Sequence, residues 1–134
     1  MAVNYAKSYV DRACESRDVV TLYDVVRTLD AARDLPEPFK LFVRMWEWCC
    51  STRSGVWQYY ENIPLAKFHE TAAMMDRCNL GEIAKRYRAG MHNWAEPVYC
   101  GDLDAWIDEH WGAIENAAMG LIESDRERLY PTPA

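Results

Sequence analysis

Much is missing from these 134 residues, and each absence narrows what the chain can be. No apolar run approaches the ~18 residues of a membrane-spanning helix. The opening stretch, MAVNYAKSYVDRACESRD, is polar from residue 4 onward and has no apolar signal core. These two absences predict a cytoplasmic chain with no membrane partner. The five cysteines, Cys14, Cys49, Cys50, Cys78 and Cys100, are odd in number and irregular in spacing, unlike the disulfide framework of a small secreted domain. They read as thiols buried as small hydrophobes, the vicinal pair Cys49 and Cys50 included.

Catalytic signals are equally scarce. His69, His92 and His110 lie far apart, none has a second histidine at i+4, and there is no Cys-x-x-Cys, so no metal site is implied. The six glycines are scattered singly, which leaves no phosphate-cradling loop, and no nucleophile elbow occurs. The chain does not read as an enzyme, and no cofactor is implied.

What is present is helical periodicity. Asp18 is a candidate N-cap, followed by Leu22, Val25, Val26 and Leu29 at helical spacing. Leu35, Pro36 and Pro38 break that pattern and start another helix, since proline suits a first turn. Its stripe is Phe39, Phe42, Val43, Trp46, Cys49 and Cys50. Leu65, Phe68, Ala72 and Met75 form the next. Asn79 and Glu82 have capping-box spacing ahead of Ile83, Ala84, Tyr87, Met91 and Trp94. Pro97 and Gly101 mark a loop, after which Asp102 is expected to cap one long last helix through Leu103, Trp106, Ile107, Ile114, Leu121 and Ile122. No segment alternates with period two over a strand's length. The prediction is all-α: a single compact multi-helix domain over 1–134, with short connections and a frayed tail over 129–134.

Charge is unevenly placed. The net −6 sits entirely in residues 101–134, which hold 8 acidic and 2 basic side chains, whereas residues 1–100 hold 13 of each. No Lys or Arg occurs between Arg88 and Arg126. At about 100° per residue on one helix, Asp104, Asp108 and Glu115 share a narrow sector spanning ~16 Å, with Trp111 at its edge. The bland reading is an ordinary solvated face, with Asp102 and Asp104 also favourable at a helix N-terminus. The functional reading is an anionic strip that meets a basic protein, the carboxylates steering it and Trp111 anchoring it. Direct nucleic-acid binding is not expected, because such a strip repels phosphate and no basic cluster exceeds KRYR at 85–88. A second copy of the chain is a further candidate partner, through a methionine patch at Met74 and Met75, although helical methionines more often fill a core.

One stretch stands apart. RSGVWQYYEN, residues 53–62, resembles the signature of the bacterial DNA-mimic protein family, which runs roughly Asn-Gly-Gly-Phe-x-Gln-Tyr-Phe-x-Asn. Gly55, Gln58, Tyr59 and Asn62 match it, and aromatic Tyr60 is similar; Arg53, Ser54 and Val56 depart from it. The likeness spans about residues 20–125, but only this motif is specific. It implies an all-helical fold and, for the namesake activity, an acidic surface that imitates DNA and occupies a DNA-binding protein. Immunity or inhibitor proteins that block an enzyme or toxin are an alternative in the same family. The neutral first 100 residues weigh against mimicry over a large surface. For the motif itself, the structural expectation is that Gly55 allows a tight turn, Trp57 or Tyr60 plugs the core, Gln58 and Asn62 tie off backbone groups, and Tyr59 stays outside. The functional alternative makes Gln58, Tyr59 and Asn62 the lining of a small-ligand or enzymatic pocket.

Overall fold

The computed structural model describes residues 3–132. They form eight α-helices and two 3-10 turns, with no strand among the described residues. The all-α expectation and the short connections both hold. The helices are α1 (Lys7–Glu15), α2 (Val19–Arg33), α3 (Glu37–Cys50), α4 (Trp57–Asn62), α5 (Leu65–Arg77), α6 (Gly81–Asn93), α7 (Pro97–Glu109) and α8 (Trp111–Glu123), with turns at Ser51–Arg53 and Arg126–Leu129. No helix among the described residues is long and apolar enough to cross a membrane. The packing groups into two compact units: one holds the chain up to Val43 and from Glu115 onward, the other runs from Arg44 to Ile114.

In the first unit α1 packs on α2. The stretch that forms α1 reads as merely polar, yet Val10, Ala13 and Cys14 recur at three and four and are buried. The Asp18 cap is as expected: its carboxylate accepts from Thr21 N–H at 3.1 Å and from the Thr21 hydroxyl at 2.7 Å. Leu22, Val26 and Leu29 are fully buried, each contributing about 1.5–3 kcal/mol relative to exposure. Asp34, at φ 54°, ends α2 in the left-handed region, and Lys40 holds that corner through Asp30 at 2.6 Å and Asp34 at 2.8 Å. The frayed tail is corrected as far as Thr132. Leu129 is fully buried, the Tyr130 hydroxyl donates to Asp11, and Arg33 donates to the Tyr130 carbonyl at 3.0 Å. Residues 133 and 134 lie outside the described residues.

In the second unit α6 packs on α4, α5 and α7. The tryptophan of α3 that is fully buried here is Trp48, not Trp46, which is only half-buried. The spacing Met45, Trp48, Cys49 is as helical as the one through Trp46, and packing chose it. Asn79 is not an N-cap. It sits at φ 61° and closes α5, where Leu80 N–H donates to the Met75 carbonyl and Asn79 N–H to that of Asp76. This is a Schellman end, and asparagine tolerates its left-handed residue. Met74 and Met75 are buried, which removes the exposed methionine patch expected for self-association.

The long last helix is also corrected. Pro97 starts α7 at its first helical position, so Gly101 and Asp102 lie inside a helix rather than ahead of one. The chain then breaks at His110, φ −100° and ψ 13°, before α8 begins. Proline lacks the N–H that a first turn leaves unused, and that physical reason places the start six residues earlier than expected.

Candidate functional site

The motif of residues 53–62 builds a corner. Gly55 holds φ +107°, and a β-carbon there would come within 2.6 Å of the Trp57 indole nitrogen. Val56 and Tyr60, at i and i+4, are buried at the foot of α4. The Tyr60 hydroxyl accepts from Trp48 Nε1 at 2.9 Å and donates to the Tyr87 carbonyl at 2.9 Å. Gly90 makes room for that phenol, since a β-carbon there would stand 2.2 Å from the Tyr60 hydroxyl. Tyr59 does not stay outside as expected: it is half-buried, 2.7 Å from the Tyr87 hydroxyl, with its ring edge-on to Tyr60 and Tyr87. Burial pushes the pKa of the Tyr59 and Tyr60 phenols well above the tyrosine range.

Gln58 and Asn62 each donate a side-chain hydrogen bond to backbone at this corner. Asn62 Nδ2 donates to the Gln58 carbonyl at 2.7 Å and Gln58 Nε2 to the Ser54 carbonyl at 3.4 Å. Tyr59 and Asn62 border a hollow of about 260 Å³ with Glu47, Ile63, Pro64 and Lys67. The Tyr59 hydroxyl and Asn62 Nδ2 are already committed to the corner, and Gln58 is not part of the lining. The motif therefore presents no convergent set of free polar groups.

The four residues of the expected strip lie on two helices, Asp104 and Asp108 on α7 and Trp111 and Glu115 on α8. The break at His110 ends the straight helix that the sector argument needs. Asp104, Asp108 and Trp111 belong to the Arg44–Ile114 unit, and Glu115 to the other. Trp111 is half-buried with its ring 5.5 Å from that of Trp46, so it is packing rather than an open anchor. Asp104 is part-buried and accepts the Val56 N–H at 3.0 Å. Burial pushes its carboxyl above the ordinary range, partly offset by that hydrogen bond. Asp108 alone of the four is a fully exposed carboxylate; Asp102 and Glu109 join it on α7. Among the described residues none of these three forms an ion pair.

Beside Asp104 lies a cleft of about 480 Å³ lined by Gly55, Trp57, Trp94, Ala95, Pro97, Cys100, Gly101 and Asp104. Trp57 is 40 % exposed. With Val56 and Tyr60 on the buried side of α4, Trp57 must project elsewhere, whereas the sequence alone left Trp57 and Tyr60 as alternatives for the core. The joining of α7 to this corner, through the Val56–Asp104 bond 48 residues apart, carries no local signal.

The five cysteines carry free thiols. None of the five is in a disulfide, and burial pushes Cys49 up to about 12. Cys100 donates to the Trp94 carbonyl at 2.9 Å. Among the described residues no group of three His, Cys, Asp or Glu is placed to hold a metal. No protein-family model matches the chain, and no curated protein or solved structure matches it. The likeness to the DNA-mimic family thus stands on residues 53–62 alone.

Proposed function

We propose that this chain is a protein-binding module that receives a basic protein partner on the outer face of α7. The observation that carries the reading is unpaired charge. Asp102, Asp108 and Glu109 are exposed with no ion pair, in a segment that has no Lys or Arg from residue 89 to 125. Several carboxylates elsewhere are answered locally, Asp11 by Lys7 and Arg126, Asp30 and Asp34 by Lys40, Asp76 by Arg88; others, such as Asp24 and Glu61, are exposed without an ion pair but lie in segments that hold Lys or Arg. The motif likeness adds a specific form, in which the partner is a DNA-binding protein and the carboxylates stand in for phosphates. Density limits that form. Duplex DNA offers about one charge per 1.7 Å, whereas three carboxylates spread over the roughly 20 Å of a 13-residue helix fall well short. The charges would steer and register a partner more than imitate a duplex.

Replacing Asp102 and Asp108 with Asn and Glu109 with Gln together should weaken binding to an arginine-rich peptide and flatten its salt dependence, with the melting temperature nearly unchanged. Unaltered affinity rejects the reading. A second reading, an inhibitor or immunity protein held by apolar contact, is favoured by Val98, which is 78 % exposed, and by Trp57. It predicts affinity that depends weakly on salt.

A further inference from the structure

The cleft beside Asp104 has a chemistry that the outer carboxylates lack. It is a concave space of about 480 Å³, within the range that holds small groups. Two of its walls are indoles, Trp57 and Trp94, and neither ring stacks on another aromatic or carries a cation among the described residues. No lysine or arginine lines it. Its one charge is Asp104, whose first carboxylate oxygen takes the Val56 N–H while the second has no partner among the described residues. An indole face attracts a cation through its quadrupole, and a part-buried carboxylate oxygen with spare acceptor capacity favours a charge-assisted donor.

We propose that this cleft is the seat of a single arginine side chain protruding from the protein partner, its guanidinium stacked on indole and donating to Asp104. Arginine suits the site better than lysine, because a planar, weakly hydrated guanidinium lies on aromatic walls and loses less hydration than an ammonium. The proposal rests on the protein-binding reading above and supplies the anchor that Trp111, packed on Trp46, does not.

The test uses the full chain and a short capped peptide of glycine and serine with one central arginine, titrated by tryptophan fluorescence. Companion peptides carry citrulline or lysine in its place, and choline serves as a free cation. The arginine peptide should saturate the signal, and citrulline should abolish binding. Asp104→Asn keeps an acceptor for Val56 N–H and should weaken the arginine peptide about tenfold. Trp57→Leu should weaken it about fivefold. The triple variant of Asp102, Asp108 and Glu109 should bind this monovalent peptide with nearly wild-type affinity.

No saturation by the arginine peptide, or equal affinity in Asp104→Asn with an unchanged melt, overturns the proposal. So does tighter binding of lysine or choline. Failure of the outer-face reading looks different: an arginine-rich peptide would then be indifferent to the triple variant while the single-arginine peptide still needs Asp104.

Discussion

Two groups of aromatic side chains in residues 44–114 are built from similar residues and come to opposite ends. Trp48, Tyr59, Tyr60 and Tyr87 spend every polar atom on one another or on backbone, and Trp48, Tyr60 and Tyr87 are buried. Trp57 and Trp94 border an open cleft with a half-used carboxylate. In the first group an unmatched hydroxyl costs the fold, because a buried polar group without a partner loses about 1–3 kcal/mol. In the second, water can still reach the rings and the acid, so substitution should cost a ligand and spare the fold. Aromatic content alone does not separate a core from a site. What separates them is whether the polar atoms are already matched.

The contrast can be broken most sharply at Gly90. Gly90→Val drives methyl groups into the Tyr60 phenol, which two hydrogen bonds and burial keep from moving. A loss of roughly 3 kcal/mol in urea denaturation is expected, and a loss below ~1 kcal/mol would show that this group is looser than its geometry implies. Next is Tyr60→Phe, which strands Trp48 Nε1–H and removes the second hydrogen bond to the helical Tyr87 carbonyl, and should cost about 2 kcal/mol with no change in arginine-peptide affinity. Gly55→Ala should cost about 1–2 kcal/mol, since alanine is strained at φ +107°, and it should also disturb Trp57 and therefore binding. Asp104→Asn should move stability by no more than about 0.5 kcal/mol at neutral pH, while weakening the peptide.

Acid sharpens the comparison further, because two aspartates shift in opposite directions. The Tyr130 hydroxyl and Lys7, with Arg126, hold Asp11 at about 2 against an ordinary 3.8. Its folded value is depressed, so its contribution is full above 3.8 and is lost as pH falls toward 2. Asp11→Asn should therefore melt below the wild type at neutral pH, with the gap closing toward pH 2. Asp104 is raised above 3.8 by burial. The fold favours its protonated form, and that contribution is present below 3.8 and lost as pH rises through the raised value. Asp104→Asn should then gain on the wild type as pH rises above about 4. Thermal melts across this range check both signs.

Much of the fold was legible because helical spacing is a local property. Leu22, Val25, Val26 and Leu29, the Asp18 cap and the Gly55 turn all follow from residues within a few positions of each other. Errors gathered where two local patterns competed. Trp46 and Trp48 both fit the period of α3, Asn79 suits the end of α5 as well as the start of α6, and Pro97 can close a loop or open a helix. Of the candidate site, the excess of charge on α7 was readable, but its geometry was not. A one-residue break at His110, two residues before Gly112, ends the single helix on which the sector was drawn, and Trp111 packs on Trp46.

By itself the sequence determined an all-helical chain, a tight turn at Gly55 and an acidic segment without nearby cations, since periodicity, backbone sterics and charge count need no distant partner. Only the tertiary structure decided that Tyr60 would be matched and Trp57 left open, and that Asp104 would cap Val56 rather than face solvent. Those outcomes depend on which residues far apart in the chain come within hydrogen-bond reach, and no local pattern encodes that distance.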